Sequence, residues 1–222
     1  MAVLITALVG PGCSRQPAAI DFTDRLTGPV SPAFSIPFEK YALSPDGLVR
    51  TKSDSGTENG IDRPVVKTRS GHYLSRDFVF EVDVTIPEDH GDIAYVGFGS
   101  GHANALNDNE PTDAYLFRIH NLPRLSFHEI DIAVADPKGG VGFRGAYRRF
   151  NRFEHYTPGR AMRVRIERRG GQVTLEVPSI AGVRVSFAEA EFRELFDSSS
   201  AYVFLGNSSA GTTFSNALLR TP

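Results

Sequence analysis

From residue 80 to residue 86 apolar and polar positions alternate without a break. Phe78, Phe80, Val82, Val84 and Ile86 fall on one side of an extended strand, and Val79, Glu81, Asp83 and Thr85 on the other. Successive side chains of a strand point to opposite faces, so this period of two predicts a strand with one face in a core. Pro87 ends the run because it has no N–H to give a ladder, and the polar residues 88–92 supply a turn. Residues 93–98 then run back as a second strand, and this pair organises the chain. Gly97 and Gly99 leave space for something to approach the second strand's backbone.

The same reading extends in both directions. Residues 14–20 form a linker and residues 21–26 begin the domain. Residues 41–49 turn at Pro45-Asp46-Gly47, and residues 64–68 form a short strand. In the strand 114–120, Tyr115, Phe117 and Ile119 face one way and Leu116, Arg118 and His120 the other. Residues 121–124 turn the chain. Residues 125–134 return with Ile130, Ile132 and Val134 on one face and Phe127, Glu129 and Asp131 on the other. Residues 138–156 read as a long connection carrying at most one strand. In the hairpin 162–177, Gly170-Gly171 acts as a two-residue primed turn. That turn sets Ile166 opposite Leu175 and Arg165 opposite Glu176, so core burial and cross-strand charge agree on one register. Ser186 and Glu189 match a capping box, with Ala188, Phe192, Leu195 and Phe196 as an apolar stripe behind it, which predicts one short helix over 187–196. Residues 202–205 are apolar on both faces, as a central strand of a sandwich should be, and a last strand covers 213–220.

Composition narrows the function classes. The 222 residues fit one all-β domain, 20–222, behind a leading segment 1–19. The net charge of −2, with no basic stripe, excludes nucleic acid as the expected partner. There is no Trp, so only Tyr remains to stack on sugar faces. The one cysteine, Cys13, excludes an internal disulfide. It follows an apolar run, 2–9, too short to span a bilayer. This resembles the end of a bacterial lipoprotein signal peptide, although the positive charge expected before such a run is missing. The resemblance implies lipid attachment at Cys13, export, and residence in the cell envelope or periplasm, with membrane contact only through that anchor.

Taken together, the EVDV strand followed by YVGFGSG, the RVRIERRGGQVTLEV hairpin and the closing YVFLGNSSAGTTFSNALL resemble the concanavalin A-like lectin/glucanase superfamily, with laminin-G-like bacterial modules as relatives. The resemblance covers roughly residues 20–220. It implies an all-β, two-sheet antiparallel jelly-roll sandwich with adjacent terminal strands, to which the capping box adds the one short helix. Such a fold hosts lectins, glycan hydrolases and adhesion modules, so function rests on sites.

Three sites merit weight. Glu129 and Asp131 resemble the active-site strand of the superfamily's retaining glucanases, where two carboxylates about 5 Å apart flank the scissile bond. Ala133 and Val134 stand where the acid/base would be, so a solvent-facing Glu/Asp pair neutralised by Arg118 and His120 is the favoured reading. Asp108, Asn109 and Asp113 lie in an oxygen-rich loop; a solvated acidic loop is the favoured reading, so no cofactor is expected, with a Ca2+ site as the alternative. His120 and His128 could approach each other across the 121–124 turn, but a zinc site would need a third ligand. The expected function is therefore an exported, non-catalytic binding module for glycans or cell-surface proteins, with Tyr115, Arg118, His120, Glu129 and Asp131 as ligand-binding residues. The alternatives are a glycan hydrolase or lyase using Glu129 and Asp131, or a structural envelope protein with no small ligand.

Overall fold

The computed structural model describes residues 20–21, 34–36, 40–51, 66–68, 77–99, 114–135, 147–154, 156–188, 202–207 and 209–220. Cys13, the loop holding Asp108, Asn109 and Asp113, and residues 189–196 of the expected helix lie outside them. Among the described residues fifteen strands run in chain order: β1 (Ile20–Asp21), β2 (Phe34–Ser35), β3 (Tyr41–Ser44), β4 (Gly47–Arg50), β5 (Val66–Thr68), β6 (Phe78–Thr85), β7 (Asp92–Gly99), β8 (Ala114–Leu122), β9 (Phe127–Ala135), β10 (Tyr147–Glu154), β11 (Met162–Arg169), β12 (Gln172–Glu176), β13 (Arg184–Ala188), β14 (Tyr202–Asn207) and β15 (Thr213–Arg220). One sheet, here sheet A, has the order β13-β12-β11-β6-β15-β4-β3, with β1 also on β15; sheet B has the order β10-β9-β8-β7-β14-β5-β2. Every pairing is antiparallel, and Ile20 opposite Leu219 brings the two ends of the domain together. This is a two-sheet jelly-roll sandwich.

Alternation along each strand builds the core. Phe78, Phe80, Val82 and Val84 of β6 are all buried and face Val96, Phe98, Phe117, Ile119, Ile130 and Ile132 of sheet B. The ring of Phe78 meets Phe98 edge-on at 5.1 Å, joining the two sheets through a favoured aromatic geometry. The 162–177 hairpin has the expected register, with Ile166 opposite Leu175 and Arg165 opposite Glu176. Gly170 and Gly171 both have positive φ, +57° and +77°, as a primed two-residue turn requires.

Two expectations change. β6 and β7 are not neighbours: β6 lies between β11 and β15 in sheet A, and β7 between β8 and β14 in sheet B. The polar turn between them is a crossing from one sheet to the other. Asn121 Nδ2 holds it by donating to the carbonyls of Pro87 (2.8 Å) and His90 (2.8 Å). The second change concerns 187–188, which end strand β13 where a helix was expected to begin. Ser186 does not cap a helix; its hydroxyl lies 2.8 Å from Thr174 Oγ1 across the β12–β13 ladder. A cap contributes only about 1 kcal/mol. Burial of Phe187 in the core together with five cross-strand pairs outweighs it. Among the described residues the helical content is a single 3-10 turn, Pro123–Leu125, closed by Ser126 in the left-handed region.

The outer face of sheet A is a ladder of opposite charges. Arg165 reaches Glu176 (3.1 Å) and Glu81 (3.6 Å), while Glu81 also meets Arg220 at 3.0 Å. Arg163 meets Asp83 at 2.7 Å. These half-exposed pairs contribute about 0–1 kcal/mol each and leave that face self-neutralised.

Candidate functional site

The candidate site lies on the face of sheet B turned away from the core, where β7, β8 and β9 run side by side. The register sets Tyr95 opposite Arg118 and Arg118 opposite Asp131 in one row. The next row holds Ile93, His120 and Glu129. β10 continues both rows in backbone register, with Arg152 opposite Asp131 and Glu154 opposite Glu129. Directly opposed residues of β7, β8 and β9 share a face and sit about 4.5–5.5 Å apart, so polar groups distant in sequence converge here.

The geometry differs from an exposed sheet face. Asp131 is 0% exposed and Glu129 2%, and only Arg118 and His120 reach solvent, with side chains 12% and 14% exposed. The expected solvent-facing Glu/Asp pair is thus a buried one. Alternation along β9 assigns the face, but what lies over a face is not encoded in alternation. Burying a carboxylate is costly unless it is paired. Arg118 Nη2 donates to Asp131 Oδ2 at 2.7 Å, and His120 Nε2 lies 3.6 Å from the same oxygen. Phe127 packs edge-on against the His120 ring at 6.1 Å and holds its orientation.

Arg118, His120, Glu129 and Asp131 are therefore brought together as the sequence suggested, and Tyr115 is not. Tyr115 points into the sandwich at 0% exposure, between Phe98 (5.0 Å) and Phe187 (4.7 Å). The aromatic beside the cluster is Tyr95, 2% exposed, which sequence reasoning passed over. Its signal was present, since Tyr95 alternates with Ala94 and Val96, but only the β7–β8 pairing reveals its neighbour. His128 also lies elsewhere: its Nδ1 is 2.7 Å from Asn121 Oδ1, on the core side of β9, so it does not meet His120.

A second polar group, between the sheets, plays a different part. Asp92 accepts from Asn207 Nδ2 (2.7 Å), the Ser209 N–H (2.7 Å), the Ile93 N–H (2.8 Å) and the Thr212 hydroxyl. Arg50 donates to the Asn207 carbonyl, and the Tyr41 hydroxyl donates to Asn207 Oδ1. All of these residues but Ile93 and Ser209 are buried, and the network closes one end of the core. Burial chiefly, with the Asp92 charge adding, pushes the Tyr41 hydroxyl up to about 12 against the opposing pull of Arg50 and the Asn207 backbone. An unfolded tyrosine titrates near 10. The folded value is the higher one, so this contribution to stability is complete below about pH 10 and is lost as pH rises through about 12. Phenolate absorbance followed against pH should show Tyr41 titrating only with alkaline unfolding; early titration in the folded state would contradict the network.

No protein-family model matches the chain, and no curated protein matches it. Solved structures do. The CBM2 module of the evolved Dit of Lactobacillus casei BL23 phage J-1 superposes with a TM-score of 0.54 at 7% identity, covering 91% of this chain and 94% of that one. An alginate lyase from Pseudomonas aeruginosa superposes with a TM-score of 0.52 at 13% identity, covering 83% and 86%. At such identities the likeness is one of architecture, and it agrees with the strand order described above: this protein has a two-sheet antiparallel jelly-roll fold, as the concanavalin A-like resemblance of its sequence implied.

Proposed function

We propose that this protein is a glycan-binding module whose ligand docks on the β7–β8–β9 face of sheet B, over Arg118 and His120. The observation that carries this reading is the cluster of partly exposed Arg118 and His120 with buried Glu129 and Asp131, on a face that contributes nothing to the sandwich core. Four ionisable side chains placed there cost desolvation energy that packing alone would not require. A guanidinium held by a carboxylate, beside an imidazole, offers fixed donors and acceptors to sugar hydroxyls. Such charge-assisted hydrogen bonds are stronger than neutral ones. Two proteins of this fold bear glycan-related names, a carbohydrate-binding module and an alginate lyase, which supports the ligand class.

An enzymatic reading has one observation in its favour. Oxygens of Glu129 and Asp131 lie within 4.8 Å of each other, close to the spacing of about 5–5.5 Å between the carboxyl groups of a retaining hydrolase. Against it, Asp131 is engaged by Arg118 at 2.7 Å and is wholly buried, which leaves it poorly placed to attack a sugar or protonate a leaving group.

Affinity electrophoresis and calorimetry against neutral and uronic-acid glycans test the proposal. Wild type should bind one class, and Arg118→Gln should weaken binding by about 10–100-fold, the equivalent of losing a charged hydrogen bond of about 1.5–3 kcal/mol. Binding that is unchanged in a folded Arg118→Gln variant would remove the docking face. Reducing ends or unsaturated products that appear with wild type and vanish with Glu129→Gln would make the protein an enzyme.

A further inference from the structure

We propose that His120, Glu129 and Asp131 bind a first-row divalent metal ion of the Zn2+ type at the base of the β7–β8–β9 face. His120 stands directly opposite Glu129, and Asp131 lies two residues further along β9 on the same face. One ligand atom from each of the three lies within 4.8 Å of the others. Tetrahedral coordination with bonds of about 2.0–2.2 Å asks for ligand atoms about 3.4 Å apart. The 3.6 Å between His120 Nε2 and Asp131 Oδ2 is already close to that, and rotation of the Glu129 carboxylate can bring in the third ligand.

A second, independent observation points to a ligand. His120 Nε2 is buried and makes no hydrogen bond among the described residues, while a carboxylate oxygen, Asp131 Oδ2, lies 3.6 Å from it. A ring nitrogen so placed is ready to take up a cation. A divalent ion would also relieve the repulsion between two carboxylates buried side by side on one strand face. Arg118, fixed to Asp131 Oδ2, holds that carboxylate in one orientation, the part played by the outer partners of metal ligands. An imidazole in the set selects zinc, copper, iron or nickel over calcium, magnesium or manganese. Three protein ligands leave a coordination position for water or a sugar hydroxyl, so the ion would sit beneath the docked glycan. This site is distinct from the Ca2+ loop suggested by Asp108, Asn109 and Asp113.

The experiment uses the untagged full chain, stripped with chelator and titrated calorimetrically with Zn2+ in the absence of glycan. One ion per chain with micromolar or tighter affinity is expected. His120→Ala and Glu129→Gln should each lose more than the roughly 10–100-fold that loss of an outer partner costs, and Arg118→Lys should fall within that range. His90→Ala, at an exposed histidine, should bind as wild type does. The visible spectrum of the Co2+ form should be lost in His120→Ala, with His120→Asn as the fallback should Ala unfold the chain. Absence of saturable binding overturns the site, as does binding that survives both His120→Ala and Glu129→Gln. Glycan binding is then measured with and without chelator. A metal bound by a chain that takes no glycan would sink the glycan reading and leave this one standing; chelator-insensitive glycan binding with no metal bound would do the reverse.

Discussion

Asp92→Ala should be the most destabilising single substitution at the closed end of the sandwich, costing about 3–5 kcal/mol. The Asp92 carboxylate is 1% exposed and accepts from Asn207, Ser209, Ile93 and Thr212. Removing it leaves donors on three segments of chain, β7, β14 and the 209–212 turn, facing a cavity. Each buried donor left unsatisfied costs about 1–3 kcal/mol before relaxation. Arg50, 1% exposed and bonded to the Asn207 carbonyl, would also lose a nearby compensating charge. For a chain of this size the melting temperature should fall by about 10 °C, and the urea midpoint should fall without a change in slope. Asp92→Asn, which keeps the shape and one acceptor oxygen, should cost less. A loss under about 1 kcal/mol in Asp92→Ala would mean the network adds little beyond what water supplies to the unfolded chain.

Gly97→Val should cost about 3 kcal/mol or more and should disturb sheet B itself. A Cβ at position 97 would stand 2.5 Å from the Tyr115 carbonyl oxygen, 2.5 Å from Phe204 Cζ and 2.9 Å from Leu116 Cβ. Two of these three atoms belong to the neighbouring strand β8, either backbone or fixed directly to it, and cannot swing away. Gly97 lies opposite Leu116 on one side and Phe204 on the other, in the middle of the sheet. The space that a glycine here leaves in the sequence is filled by the chain's own Phe204 ring, 4% exposed, laid across the strand beside the candidate site. A Val side chain would force β7 and β8 apart and so shift Tyr95 against Arg118. Glycan and metal binding should therefore weaken along with stability. Full stability in Gly97→Val would show that Phe204 and β8 yield more readily than their packing implies.

Much of this architecture is legible from short stretches of sequence. The 162–177 register follows from Gly170-Gly171 and from the agreement of Ile166–Leu175 with Arg165–Glu176, all within one hairpin. The Pro45-Asp46-Gly47 turn is local in the same way, with Gly47 at φ +128° and its neighbours paired across β3 and β4. Of the candidate site, the shared face of Arg118 and His120, and that of Glu129 and Asp131, follows from strand alternation alone. The choice of Tyr115 contradicted that same alternation, which already turned it toward the core.

The sequence by itself determined the longer alternating strands, the hairpin turn at 170–171, and which of their side chains share a face, because those properties depend on residues two to ten positions apart. Tertiary structure alone decided that β6 and β7 part into different sheets, since a strand's pattern records its burial and not its partner. It also decided that Ser186 and Phe187 extend a sheet rather than open a helix, because a core contact with Tyr115 and a ladder with β12 outweigh a local cap. Likewise it set Tyr95 beside Arg118, buried Asp131 and Glu129, and hid Asp92 in the core though it ends a polar turn segment. Burial and electrostatics at a site sum over segments far apart in the chain, and that sum is complete only once the two sheets have closed.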